Sequence, residues 1–398
     1  MSKKELIKKG SFNIVILGLI SCFADISSEM VYPLIPLYLT AAFGATPVLV
    51  GIIEGIAESL ASLLKVFSGY ISDKFKCKKA IAFSGYATGL LYKLALLFAG
   101  SWFGILIARI IDRFGKGIRT APRDAMVAMS SDEKHMGKSF GIHKMLDMLG
   151  SAIGILLAFI IVRNVEVDGY KLVFAISIIP IIIALFLFIF LKEDKTKVSD
   201  NHRVCFWKNI SKLDNNLKLY LLITFIFTLG NSSNSFLLLR ASDMGFSNSN
   251  TVLLYFIYNL TASLFAIPCG KLSDKIGRKS LLVGGYLTFS LVYFGFAFCN
   301  SKTMMIIIFI IYGIYTAMIS GAERAFISEI APKELKGTLL GLHSTVVGIA
   351  LLPASVVAGL LWDNIGYYAP FVFGASLSLI ATIILIIKFN YKAKENLC

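Results

Sequence analysis

Cysteine in pairs, proline and charge are all scarce in this 398-residue chain. Its six cysteines, Cys22, Cys77, Cys205, Cys269, Cys299 and Cys398, stand singly with no C-x-x-C pair, so neither a disulfide framework nor a metal site is implied. Only 9 prolines and 16% charged residues fit long helices that satisfy their own backbone hydrogen bonds. Segments of about ten residues that alternate apolar and polar are missing, which excludes a transmembrane β-barrel. No nucleophile with its base, metal-ligand cluster or phosphate loop stands out at a membrane surface, and no cofactor is expected. Behind the basic start Met1 to Gly10 there is no small-residue cleavage site, so the first apolar run is expected to remain as a helix.

What is present is hydrophobic. The chain is 57% hydrophobic, with a mean hydropathy of +0.76, whereas soluble domains run at about 45–50% apolar residues. Lipid is therefore the solvent for most of it. About 20 apolar residues cross a bilayer, and twelve such runs are predicted: Phe12–Leu39, Pro47–Ile71, Ala80–Ala99, Trp102–Met126, Ser139–Val162, Leu172–Leu191, Tyr220–Leu239, Thr251–Leu272, Leu281–Cys299, Thr303–Ile327, Thr338–Trp362 and Ala369–Lys388. They are called spans 1 to 12 below.

The formal charge of +15 is a topology signal and points to no nucleic-acid partner, because the basic residues sit in the gaps between spans. Connections on one face hold nearly all of the Lys and Arg, against Arg163, Lys171, Arg240 and Lys302 on the other. By the positive-inside bias both termini are expected in the cytoplasm of a cell-membrane protein. The one long connection, Lys192 to Lys218, divides the spans six and six. The predicted organisation is a six-helix bundle over 1–191, a linker over 192–218 and a second bundle with a short tail over 219–398, in an all-α membrane protein.

An internal repeat supports that division. Gly69-Tyr-Ile-Ser-Asp73-Lys74 is echoed 201 residues later by Gly270-Lys-Leu-Ser-Asp274-Lys275, and Gly137-Lys-Ser-Phe-Gly141-Ile-His143 is echoed 200 residues later by Gly337-Thr-Leu-Leu-Gly341-Leu-His343. Parallel repeats of this kind place a substrate site at their interface near the midplane. The run Gly270-Lys-Leu-Ser-Asp274-Lys275-Ile-Gly277-Arg278-Lys279 resembles the G-x-x-x-D-[RK]-x-G-[RK]-[RK] loop of the major facilitator superfamily, with Gly69 to Lys79 as its partner copy. The first copy departs from the pattern, with Lys76 and Cys77 where the family has Gly and Arg. The resemblance implies a twelve-helix alternating-access fold in which this loop latches one side shut. Asp73 would then meet the start of span 11 near Thr338, and Asp274 the start of span 5 near Ser139. A helix N-terminus attracts such an acid.

Ionisable side chains inside a span cost about 2.5–3.5 kcal/mol each on insertion scales, so they face a cavity or a partner. Asp25, Glu29 and Tyr32 share one stripe of span 1, and Glu54, Glu58 and Lys65 one stripe of span 2. Arg109, Arg113, Lys116, Thr120 and Arg123 share a narrow arc of span 4, with Asp112 and Arg119 beside it, and span 5 adds His143, Lys144 and Asp147. Asn231 and Asn234 of span 7 stand at the positions equivalent to Asp25 to Glu29, and Asn259 of span 8 matches Glu58. Arg109 also resembles the buried span 4 arginine of proton-coupled, drug-antiporter-like members, which works with a span 1 acid; Asp25 and Glu29 are available for that role. Asp112-Arg113 stands where the family often has Gln-Gly. Glu54 and Glu58 have a second reading as neutralisers of the arginine row.

The expected proton-coupling and substrate set is therefore Asp25, Glu29, Tyr32, Glu54, Glu58, Arg109, Asp112, Arg113, Asn231 and Asn234. The expected latch and gate is Gly69, Asp73, Gly270, Asp274 and Arg278, with Arg123, Asp124, Glu323 and Arg324 forming either an inter-bundle gate or two local ion pairs. His143 and His343 read as hydrogen-bonded packing residues, and the aromatic surplus is assigned no site. The expected activity is secondary transport of a small solute, of anionic character as the arginine row suggests, by a monomer driven by a proton gradient, with export favoured although span 5 lacks the exporter proline after Gly150-Ser-Ala-Ile-Gly154. A uniporter or anion exchanger of the same fold is the alternative, and a membrane receptor or enzyme the more distant one.

Overall fold

A computed structural model describes residues 3–75, 77–131, 136–165, 169–191, 215–330 and 336–388. These residues form helices, with no strand among them. Eleven helical segments are long and apolar enough to cross a membrane. The one expected span outside that group is Trp102–Ser130, span 4, whose charged row keeps it from reading as apolar although it packs between spans 2 and 3.

Spans 1, 6 and 7 are broken helices. Span 1 runs as Lys3–Val31 and Leu34–Phe43, interrupted at Pro33, which has no backbone N–H to continue the ladder. Span 7 runs as Asn215–Gly230 and Ser235–Asp243, with Asn231 to Asn234 between them. The repeat thus places a backbone break at the same depth of each half, and both breaks face the cavity described below. Span 6 changes direction between Gly169–Ile176 and Ile178–Leu187, where Ser27 of span 1 donates to the Ser177 carbonyl at 2.6 Å.

Spans 2, 3, 5, 8, 9, 10, 11 and 12 are the helices Pro47–Phe75, Lys78–Leu97, Met136–Asn164, Asn248–Ile276, Arg278–Phe298, Lys302–Ile330, Lys336–Asn364 and Ala369–Ile387. Spans 1 to 6 pack among themselves through pairs 1 with 5, 2 with 4 and 3 with 4. Spans 7 to 12 repeat the plan through 7 with 11, 8 with 10 and 9 with 10. The two sets meet where span 2 lies on span 11 and span 5 on span 8. Large apolar side chains such as Ile189, Leu264, Ile267, Leu291 and Phe298 point outward, as a lipid solvent allows.

The span 2 and span 11 seam depends on missing side chains. A Cβ on Gly51 would strike the Ser355 carbonyl and the Phe236 ring, one on Gly55 the Leu352 backbone, and one on Gly359 the Val48 backbone. Small residues at such crossings let helices in lipid come into dispersion contact. The Val48 backbone N–H also donates to Asp363 at 3.2 Å, so the seam is shut on the face away from the two chain ends. On the face that carries those ends, Lys271 and Asp274 of span 8 are exposed, and a side chain built on Gly270 would meet nothing within 4 Å.

Candidate functional site

Between the two sets of helices lies a cavity of about 290 Å³. Tyr32 and Glu58 line it from the first half; Asn231, Asn234, Tyr258, Tyr312, Tyr315 and Thr316 line it from the second. The broken spans supply Tyr32, Asn231 and Asn234, because a helix that stops there frees polar groups to face an interior space.

The first-half wall is a compensated charge array. Arg109, 1% exposed, forms a bidentate pair with Glu54, also 1% exposed, through N–H donors at 2.8 and 2.6 Å. Its remaining nitrogen donates to Asp112 at 3.2 Å. One turn on, Arg113 pairs with Glu58 at 2.7 Å and lies 3.7 Å from Asp112. The Tyr32 ring packs against both guanidinium groups at 5.3 and 5.4 Å. Planar forks matched to carboxylates are the geometry in which a buried charge pair holds.

This corrects the expected pairing of Arg109 with a span 1 acid. Its partners are Glu54 and Asp112, so Glu54 and Glu58 do neutralise the arginine row. Glu29 has no ion pair among the described residues and accepts a hydrogen bond from Tyr255 of span 8 at 3.4 Å, a contact that joins the two halves beside the packed Tyr32 and Tyr255 rings. Asp25 lies 3.9 Å from Arg119, which sits over the Tyr86 ring. Lys116, on the same arc of span 4, is exposed and has no ion pair among the described residues.

The second half answers with neutral groups. Tyr312 donates to the Asn234 carbonyl oxygen at 2.8 Å, Asn231 donates to the Tyr315 hydroxyl at 3.5 Å, and Tyr258 stacks obliquely on Tyr312. These tyrosines were missed in the sequence, where the aromatic surplus was assigned no site. The signal was available: Tyr255, Tyr258, Tyr312 and Tyr315 recur at helical spacings, and a hydroxyl buried in a bilayer needs a partner. Lys93 of span 3, 1% exposed against the Tyr92 ring, also went unread.

The expected latch falls largely outside the described side chains. Asp274 is exposed and makes no hydrogen bond or ion pair among the described residues. Arg278 instead pairs with Glu329 at 3.2 Å, joining spans 9 and 10 within one half. The side chains of Gly69, Asp73, Ser139, Arg324 and Thr338 lie outside the described ones. The proposed four-residue gate resolves on its first-half side into a local pair, Arg123 with Asp124 at 2.9 Å. Glu323 stays in the second half, accepting from Tyr286 at 3.5 Å and lying 4.0 Å from His343. His143 is buried and bonded to Ser21 at 3.1 Å, as a packing histidine should be.

Two pseudo-symmetric helical sets around a polar cavity, sealed on one face, define a secondary transporter of the alternating-access kind. The chain belongs to the Major Facilitator Superfamily, which it matches over residues 17–216 and 220–397. It is 36% identical to an uncharacterised MFS-type transporter of Methanocaldococcus jannaschii, across 94% of each chain. It is 24% identical to the quinolone resistance protein NorA of Staphylococcus aureus, across 38% of this chain and 39% of that one. Its fold is similar to that of the nucleoside transporter NupG (TM-score 0.77, 12% identity, 96% of this chain and 100% of that chain). It is equally similar to a POT family transporter in complex with 5-aminolevulinic acid (TM-score 0.78, 13% identity, 95% and 96%).

Proposed function

We propose that this transporter couples the export of a small solute to the entry of protons, with Asp25 and Glu29 as the groups that load and release them. One observation carries the reading: the arginine row already has its counter-charges in Glu54, Glu58 and Asp112, while Glu29 has no cation within pairing distance among the described residues. Burial favours the neutral form of a carboxyl group and a nearby cation the ionised form. The Tyr255 hydroxyl that bonds Glu29 comes from the opposite half, so the proton affinity of this acid changes when the halves part and that bond breaks.

The export direction draws on the likeness to the quinolone resistance protein NorA, since resistance to a drug follows when the drug is removed from the cell. The two bundles, 1–191 and 219–398, rock as units about the linker 192–218, as a monomer in the cell membrane with both termini in the cytoplasm. A solute with anionic character would meet Lys116, because Arg109 and Arg113 are engaged. An exchanger that moves no proton is the competing reading, favoured by the near-complete pairing of charge on the first-half wall.

The test is gradient-driven transport in proteoliposomes loaded from a solute panel whose binders are first found by thermal shift. Asp25→Asn and Glu29→Gln are expected to abolish accumulation driven by a pH gradient in at least one variant, while solute exchange at equal pH continues. Undiminished accumulation in both variants would remove these residues as proton carriers.

A further inference from the structure

Asp147 of span 5 has no assigned role, yet its surroundings are unusual. It is nine-tenths buried, and its Oδ1 oxygen is buried without any hydrogen-bond donor among the described residues. Asp25 of span 1 is its acidic neighbour, close enough for the two carboxyl groups to act on each other. The two helices cross closely here: a Cβ on Gly150 would strike the Cys22 backbone and one on Gly154 the Ile26 backbone, so spans 1 and 5 are in backbone contact at residues that flank Asp25, beyond Asp147.

The flanking cations stand back from both acids. Span 4 presents Arg119 and Lys116 to Asp25, and Arg123 to Asp147 at 3.9 Å. Neither guanidinium closes to hydrogen-bonding distance of these acids. Span 5 adds Lys144 at 3.7 Å, itself 66% exposed, and His143, which is turned to Ser21. Span 3 contributes Tyr86, bonded to the same Ser21 hydroxyl at 2.9 Å. Arg123 donates to that hydroxyl at 3.3 Å and to Asp124. Glu29 stands one turn along span 1, toward the cavity, and Tyr255 of span 8 bonds Glu29 and no member of this cluster.

We infer that Asp25 and Asp147 form a single carboxyl–carboxylate pair that holds one coupling proton between spans 1 and 5. Two carboxylates this close cannot both ionise without a large repulsion, and one shared proton replaces that repulsion with an O–H···O bond. The donor is whichever acid carries the proton, and a carboxylate oxygen of the other acid is the acceptor. Release is the loss of that proton to water or to the Glu29 carboxylate; no other bond forms or breaks. The two acids titrate as one unit. The inference rests on the proton-coupled reading above and adds to it the second acid.

Infrared difference spectroscopy on the full-length protein in lipid, titrated with acid and base, tests it directly. Wild type is expected to show the C=O band of one buried carboxyl group that appears and disappears with pH. Asp25→Asn and Asp147→Asn should each lose it, since the remaining acid faces only cations and an amide. Asp147→Glu, which keeps a carboxyl group, should retain a shifted band, and this variant guards against simple misfolding. In proteoliposomes Asp147→Asn should lose pH-driven accumulation and keep exchange at equal pH. Persistence of the wild-type band in Asp147→Asn, with loss only in Asp25→Asn, overturns the pair and leaves coupling through Asp25 standing. No titrating buried carboxyl group in wild type overturns both the pair and the coupling.

Discussion

Arg109→Ala should unfold or strongly destabilise the first half. The substitution leaves Glu54, 1% exposed, with no fork to receive its two oxygens, and removes the 3.2 Å contact to Asp112. Breaking one side of a buried ion pair costs about 3–5 kcal/mol, because the surviving charge is stranded in a low dielectric. Arg109→Lys should recover little, since an ammonium group cannot serve both Glu54 oxygens at once. The double variant Glu54→Leu with Arg109→Leu should be more stable than Arg109→Ala alone, because it removes both charges together. Thermal melting of the purified proteins reads this order directly. An Arg109→Ala protein that melts with wild type would mean that the pair is not the anchor the geometry makes it.

Gly51→Val should trap the transporter with its sealed face open. The added side chain has nowhere to go where span 2 crosses span 11, being blocked by the Ser355 carbonyl and the Phe236 ring. Overpacking costs about 1–3 kcal/mol, and here the cost falls on the closed seam alone. A penalty of about 1–3 kcal/mol on one of two states shifts their ratio by about 5- to 150-fold. A cysteine placed at Thr316 in the cavity wall should therefore become more reactive to an impermeant thiol reagent from the face of Asp363, and less so from the face of the chain ends. Solute turnover should fall, because one half of the cycle is disfavoured. Unchanged labelling from both faces would show that Gly51 is not part of a closing seam.

The sequence was most legible where a bilayer leaves few choices. Hydropathy located the spans, and the paired loops around Asp73 and Asp274 pointed to two parallel halves. The arc on span 4 implied an interior face, because lipid cannot solvate it; Arg109 and Arg113 are buried, whereas Lys116 is exposed. Which acid meets which arginine was not legible. Asp25, Glu29, Glu54 and Glu58 all project from helices at plausible depth, and their choice of partner depends on helix rotation and crossing, which no single-helix periodicity encodes. The tyrosine wall was legible only in part: Tyr255 with Tyr258 and Tyr312 with Tyr315 repeat at helical spacing, but the side of the helix that faces the cavity depends on the same rotation. The latch expectation falls on the side chains of Asp73, Ser139 and Thr338, which lie outside the described ones, while Gly270 and Asp274 stand clear of neighbours among the described residues.

The central claim is that the two halves alternate around the cavity, closing one face as the other opens. Spin-label distances between Thr46 and Asn364 at the ends of spans 2 and 11, and between Lys144 and Lys271 on spans 5 and 8, test it most directly. Each pair would be placed by cysteine substitution after the native cysteines are replaced. The predicted result is two populations in lipid whose distances change in opposite senses, the first pair long when the second is short, with Gly51→Val moving both toward the state that the sealed seam now excludes. Distances that stay single-valued, or that lengthen and shorten together, would contradict alternation about this cavity.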